Sequence, residues 1–113
     1  MLLIWKTWCG ACKALRPKFA SSVEIANESK NFVMVNTVDD EEPKDALYKP
    51  GGAGYIPRVL FFRPDGTLLD VTSGNPQYAY FYGEPEAILD SMKKAWTLVQ
   101  VNKDAGSEWS SEL

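Results

Sequence analysis

The sequence predicts one α/β domain, a mixed sheet of about four strands flanked by helices on both faces. Three observations predict it. The chain has 113 residues, enough for one compact domain and too few for two. Short apolar or β-branched runs alternate with helical periodicity in the order strand, helix, strand, hairpin, helix. A strand–helix–strand unit closes by a right-handed crossover into parallel strands, and a hairpin extends the same sheet antiparallel.

The run "LLIW" (Leu2 to Trp5) is continuous and apolar, as a buried strand is. After the turn "WCGAC", Leu15, Phe19, Val23, Ile25 and Ala26 recur at helical spacing, which predicts a helix from about Ala11 to Asn27. Pro17 falls inside it and should kink it, by removing one hydrogen bond and crowding the preceding turn. "NFVMVNTV" (Asn31 to Val38) reads as a second buried strand. Two prolines and three glycines make "DDEEPKDALYKPGGAG" a loop, with one short helix expected around Pro43 to Tyr48. Val59 to Phe62 and Thr67 to Val71 read as strands joined by the turn Pro64-Asp65-Gly66. "EPEAILDSMKKAWTLVQV" is the last helix, with Pro85 in its first turn and Ile88, Leu89, Met92, Ala95, Trp96 and Val99 on one face. The domain is expected over residues 1–101, with 102–113, small and polar, as a flexible tail.

The composition is 45% apolar and 24% charged with a net charge of −3, ordinary for a soluble globular chain. The scattered basic residues and acidic balance argue against a nucleic-acid partner. No apolar run reaches membrane-spanning length, so no membrane is expected. The opening "MLLIWK" is too short and too weakly charged for a secretory leader, which alone would suggest the cytosol.

The reactive chemistry lies in Cys9 and Cys12, the two cysteines of a chain without histidine. A tetrahedral zinc site takes four ligands, usually as two pairs, and here there is one pair, so no metal is expected, although a cluster shared between two chains stays open. A bridge across so short a loop removes little entropy from the unfolded chain, so it is a poor staple. Two cysteines packed as small apolar residues are the remaining bland reading. Against it, the pair falls between a strand and a helix, where unpaired backbone N–H groups and the helix dipole favour a thiolate at Cys9. Cys12, one turn further in, is expected to be more buried and placed to attack a mixed disulfide at Cys9. Gly10 permits the tight entry and small Ala11 leaves the first sulfur accessible.

"WCGAC" beside a strand–helix–strand pattern resembles the active site of thioredoxins and protein disulfide isomerases. Pro17 stands where thioredoxins kink the same helix, and "YIPR" resembles the loop that carries their cis-proline. "KTWCGACKALRPKFA", "NFVMVN", "DEEPKD", "GYIPR", "GNPQYAYFY" and the final "EL" are similar to small thioredoxin-fold oxidoreductases of the endoplasmic reticulum, relatives of the anterior gradient proteins. The resemblance implies a thioredoxin-like fold and a lumenal protein-disulfide oxidoreductase. Cys9 would be the nucleophile and Cys12 the resolving thiol. Trp8, Gly10, Ala11, Tyr55, Ile56 and Pro57 would form the substrate surface, with Pro57 as the cis residue and the Ile56 backbone pairing with the client. It implies no resident cofactor, with glutathione as redox co-substrate, disulfide-containing proteins as clients and a monomeric state. The anterior gradient branch lacks the second cysteine, and Cys12 favours the catalytic relatives.

Three departures from the family pattern stand out. The chain begins at the strand that ends in "WCGAC", so a domain truncated at its front, without the family's first strand and helix, is expected. Ser110-Ser111-Glu112-Leu113 resembles a retrieval signal only in its last two residues. Leu3 stands where thioredoxins carry the buried carboxylate that helps deprotonate the resolving thiol, leaving water or nearby Lys6 to assist.

Other features read more blandly. "DDEE" (Asp39 to Glu42) is expected to be a solvated loop, since EF-hand spacing is absent. Trp8 is expected at the surface over the thiols and Trp5 in the core. Tyr78, Tyr80, Phe81 and Tyr82 suit either a client surface or a packed loop. Alanine between the cysteines leaves the redox direction open. A client-binding or chaperone-like module that forms mixed disulfides without turnover is the rival function.

Overall fold

The computed structural model describes residues 1–110, with α3 side chains described as far as residue 100. Its order is β1 (Leu2–Trp5), α1 (Gly10–Ala20), α2 (Val23–Glu28), β2 (Val35–Val38), β3 (Arg58–Leu60) and α3 (Pro85–Ser110). β1 is central: it pairs parallel with β2, Leu2 opposite Val35, and antiparallel with β3, Leu2 opposite Leu60. This is the expected α/β class with a mixed sheet.

The sheet holds three strands rather than four. Beyond β3 the chain keeps hydrogen bonds from Leu69 N–H to the Phe61 carbonyl (2.8 Å) and from Arg63 N–H to the Thr67 carbonyl (2.8 Å), with one bridge between Phe62 and Leu68. The Pro64-Asp65-Gly66 turn therefore closes as a hairpin. Asp65 closes that turn with its carboxylate on Thr67 N–H and Oγ1, and the pairing of the second arm does not continue as a ladder past Leu69.

The helices also lie differently. Buried side chains of α1 (Cys12, Leu15), α2 (Ile25) and α3 (Ile88, Met92, Ala95) all join Leu3, Trp5, Val59 and Phe61 in one core. The opposite sheet face, Leu2, Ile4 and Leu60, is covered by Tyr48, Ile56, Phe62, Leu68 and Tyr80 from loops. Side chains alternate along β1, so its odd residues meet helices and its even residues meet loops.

The helix expected over Ala11 to Asn27 divides in two, and the division falls at Ser21-Ser22, not at Pro17, which sits inside α1. Ser22 Oγ accepts Ile25 N–H at 3.2 Å and so caps a new helix, the usual way serine competes with helix continuation. The strand expected from Asn31 begins at Val35, and Ser29–Asn31 forms a 3-10 turn. A four-residue β1 offers ladder partners to four residues only. The loop helix expected around Pro43 to Tyr48 contracts to a 3-10 turn, Ala46–Tyr48, followed by another at Pro50–Gly52.

α3 runs as helix to Ser110, through most of the stretch read as a polar tail from residue 102, while residues 111–113 of the retrieval-like ending lie outside the described residues. Tyr82 is fully buried and donates its hydroxyl to Ser91 Oγ at 2.7 Å, so that part of the aromatic loop is core. Tyr78 stays exposed and meets Tyr55 edge-on, ring centroids 5.1 Å apart. Among the described residues no helix is long and apolar enough to cross a membrane.

Candidate active site

The end of β1 delivers Lys6 to Cys9 to the head of α1. Cys9 is the cap of that helix: its backbone is extended (φ −86°, ψ 121°) and its Sγ accepts Cys12 N–H at 3.2 Å. A helix N-terminus leaves backbone donors without partners, and here a sulfur takes the place usually filled by a serine or aspartate oxygen. The same geometry aims the positive end of the helix dipole at Sγ.

Both cysteines are free thiols and unequal in access. Cys9 retains 8% exposure, whereas Cys12 is fully buried beside Leu15 in the core. Accessibility of the first sulfur is thus narrower than Ala11 alone suggests, because the Ile56 carbonyl lies 3.8 Å from Cys9 Sγ and closes one side. Trp8, Gly10 and Ala11 are all exposed around it, Trp8 at 71%. Trp5 is buried, edge-on to Phe19, with the Arg16 guanidinium 5.4 Å from its ring centroid.

The opposite wall of the site is the segment Tyr55-Ile56-Pro57. The Ile56–Pro57 peptide is cis and Pro57 is buried. Tyr55 Oη accepts Tyr80 N–H at 3.0 Å, which ties this wall to the tyrosine-rich loop. The fold therefore brings Cys9, between exposed Trp8 and the exposed first residues of α1, to the carbonyl of Ile56, 47 residues later, with Tyr55 and Pro57 on either side of it in the chain.

Burial, followed by the hydrogen bond to Cys9, pushes the Cys12 thiol up to about 11. A thiol with so raised a value is protonated at neutral pH, and only its thiolate can attack a disulfide. Burial persists when Cys9 is joined to a client, so a step in which Cys12 attacks should quicken as pH rises above neutrality. Stopped-flow rates of mixed-disulfide release from neutral pH upward would check this, and a flat profile would show that another group takes the proton. Leu3, where a carboxylate assists in thioredoxins, is buried in the apolar core. Lys6 is already engaged: its Nζ donates to the Asp39 carbonyl at 2.8 Å and meets Glu42 at 2.9 Å.

Sequence reasoning missed three residues that build the walls. Asp39, at φ +54°, accepts Thr7 N–H and Thr7 Oγ1, both at 2.9 Å, pinning the approach to the cysteines. Arg58, directly after Pro57, is fully buried and spends its donors on the carbonyls of Tyr48 (3.2 Å) and Tyr55 (2.9 Å) and on Glu42 (2.9 Å). Glu42 receives both Lys6 and Arg58. Burial alone would raise its carboxyl, but the hydrogen bonds and charges of those two cations outweigh it and hold it below the ordinary carboxylate range. Of the "DDEE" run, Asp40 and Glu41 are exposed as a solvated loop would have them, whereas Asp39 and Glu42 are anchors. An arginine at the head of an otherwise apolar strand, with acidic residues upstream, was the available signal.

Among the described residues no group of three or more His, Cys, Asp or Glu gathers where it could hold a metal ion.

A thioredoxin-like family model matches residues 1–64, from β1 through both walls of the site and β3. The chain belongs to the thioredoxin-like family. It is 36% identical over 95 residues to the human anterior gradient protein 2 homolog, covering 81% of this chain and 53% of that protein. Anterior gradient protein 2-B of Xenopus laevis is 28% identical over 103 residues, 88% of this chain and 61% of that protein. A protein disulfide-isomerase of Schizosaccharomyces pombe is 30% identical over 67 residues, 59% of this chain and 18% of that protein. The chain spans about half the length of the first of these relatives.

Proposed function

We propose that this chain is a thiol–disulfide oxidoreductase acting on protein disulfides. The observation that carries the reading is the seat of Cys9 Sγ, capping a helix beside an open loop with Cys12 N–H 3.2 Å away. In the reducing direction, the Cys9 thiolate attacks one sulfur of a client disulfide. A Cys9–client disulfide forms and the other client sulfur leaves as a thiolate, which takes up a proton. Cys12 then loses its proton and attacks Cys9 Sγ, the second client sulfur leaves, and a Cys9–Cys12 disulfide remains. Two glutathione thiols return that disulfide to the dithiol and become one glutathione disulfide. Run backwards, the same steps oxidise a client.

Ile56 and Pro57 shape the groove, and the Ile56 backbone pairs with the client in β fashion while Trp8 and Tyr55 contact its side chains. Within the family, the retained Cys12 supports kinship with the two-cysteine branch that includes thioredoxin domain-containing protein 12. That kinship supports the endoplasmic-reticulum lumen as the working compartment and a monomer as the working form.

One observation favours a second reading. Cys12 is fully buried, and burial disfavours its thiolate, so mixed disulfides would persist and the chain would act as a client-binding module. Equilibrium titration in glutathione buffers, with both thiols scored by alkylation and mass, separates the two. A single two-electron transition near about −200 mV, the lumenal poise, supports turnover and fixes its direction. Persistent glutathionylation of Cys9 without an intramolecular disulfide would make the binding module the better account.

A further inference from the structure

The two walls of the thiol cleft come from distant parts of the chain, and a closed circuit of hydrogen bonds joins them. Cys9 N–H donates to the Lys6 carbonyl (3.3 Å), and Lys6 Nζ meets Glu42 Oε1 (2.9 Å). Glu42 Oε2 accepts Arg58 Nη2 (2.9 Å), and Arg58 Nη1 donates to the Tyr55 carbonyl (2.9 Å). The next carbonyl, that of Ile56, lies 3.8 Å from Cys9 Sγ, where the circuit began. Every link except Glu42 belongs to one wall or the other.

We propose that Glu42 is a positioning residue that ties the cysteine turn to the Tyr55-Ile56-Pro57 wall and so sets how a substrate chain lies against Cys9. The role needs a carboxylate of this length. Each of its two oxygens faces a separate cation, and Lys49 approaches Oε2 as well at 3.7 Å. A glutamine fills the same space but offers one oxygen and must turn its NH2 toward Lys6 or Arg58. Asp39 would still hold Thr7 in that variant, so the cysteine turn keeps its shape while its spacing to the far wall loosens. The buried Arg58 makes the tie stiff, because a desolvated charge does not leave its counter-ion easily. The inference rests on the reading above only in taking Cys9 as the attacking thiol.

Two reactions of Cys9 test it, both in a Cys12→Ser background that stops the sequence after one attack. Iodoacetamide reports the availability of the thiolate and needs no groove. A disulfide-linked peptide of several residues must lie along the Ile56 wall while the Cys9 thiolate displaces its leaving thiolate. Glu42→Gln is expected to lower the peptide rate about tenfold or more relative to the iodoacetamide rate, as misplacement of a reacting group does. Lys6→Gln cuts one link, leaves the Glu42–Arg58 pair intact and should move the ratio the same way by a smaller factor. A purely structural role would lower the melting temperature and leave the ratio of the folded protein unchanged, which overturns the proposal. Should Glu42→Gln fail to fold, Lys6→Gln decides alone, and an unchanged ratio there also overturns it. Turnover by the unsubstituted chain is scored in parallel. Its absence removes the enzyme reading, while the ratio, which needs one attack only, still decides the role of Glu42. A Cys9 that takes up no peptide disulfide at all overturns both.

Discussion

Cys12→Ser is expected to abolish multiple turnover and leave the chain covalently joined to its substrate through Cys9. In the native chain the resolving thiol lies one helical turn from Cys9 and is held there by the core around Leu15. An oriented intramolecular group acts at effective concentrations far above the millimolar range of free thiols, reaching about 10⁵ M in favourable cases. Even a small part of that advantage makes release by external thiol at least about a hundredfold slower. The check is a peptide-disulfide assay followed by non-reducing electrophoresis and mass spectrometry of the trapped adduct. Serine replaces sulfur with a smaller oxygen at a fully buried position, so the folded state should survive with a modest loss of stability. If the unsubstituted chain already accumulates the same adduct and Cys12→Ser changes neither its amount nor the client affinity, the binding-module reading takes its place; if no adduct forms in either, Cys9 is not the nucleophile.

Arg58→Leu should be the most damaging single change to the fold. The guanidinium is inaccessible to solvent and supplies donors to two backbone carbonyls and one carboxylate. Removing it leaves the Glu42 carboxylate with Lys6 and Lys49 only and leaves the Tyr48 and Tyr55 carbonyls without their side-chain donor. Breaking a buried pair from one side costs about 3–5 kcal/mol, against a total stability of about 5–15 kcal/mol for a domain of this kind. Urea unfolding followed by circular dichroism measures the loss. Replacing Glu42 as well should recover part of it, because the double variant no longer holds a part-buried carboxylate that has lost its buried partner. A loss below about 1 kcal/mol would mean that water reaches these groups as readily as Arg58 does.

The Glu42 tie also has a direction in pH. Its folded-state carboxyl is held below the ordinary carboxylate range, so its contribution is present above that range and is lost as pH falls through the depressed folded value. The buried Cys12 acts at the other end. The neutral thiol is the folded form, so that contribution is full below the ordinary thiol value and is lost as pH rises toward about 11.

Much of the site was legible before any coordinates. Two cysteines three apart, a glycine after the first and a strand on their N-terminal side are local features, and local sequence sets a helix cap. Leu15, Ile25, Ile88 and Met92 follow helical spacing closely enough to mark core positions, and all four are buried. The strand count was less legible. Thr67 to Val71 carries the composition of a strand, yet its pairing with the first arm amounts to one bridge, because strand composition does not fix how far two arms stay in register. The first helix was expected to run to Asn27 because Val23, Ile25 and Ala26 keep helical spacing, but the serine cap at Ser22 ends one helix and starts another within that run.

By itself the sequence determined the α/β class, the pair of thiols, their inequality and the helix terminus that holds them, because each follows from patterns within about a dozen residues. Only the tertiary structure decided that all three helices share one face of the sheet and that Ile56 closes over Cys9. It alone turned Asp39 and Glu42 into anchors for Lys6, Thr7 and Arg58. Those contacts join residues tens of positions apart. Which charge meets which depends on where the parallel pairing of β1 with β2 and the antiparallel pairing with β3 bring the loops together. Periodicity carries no record of that meeting, since a solvated glutamate and a buried, doubly paired one are written with the same letter.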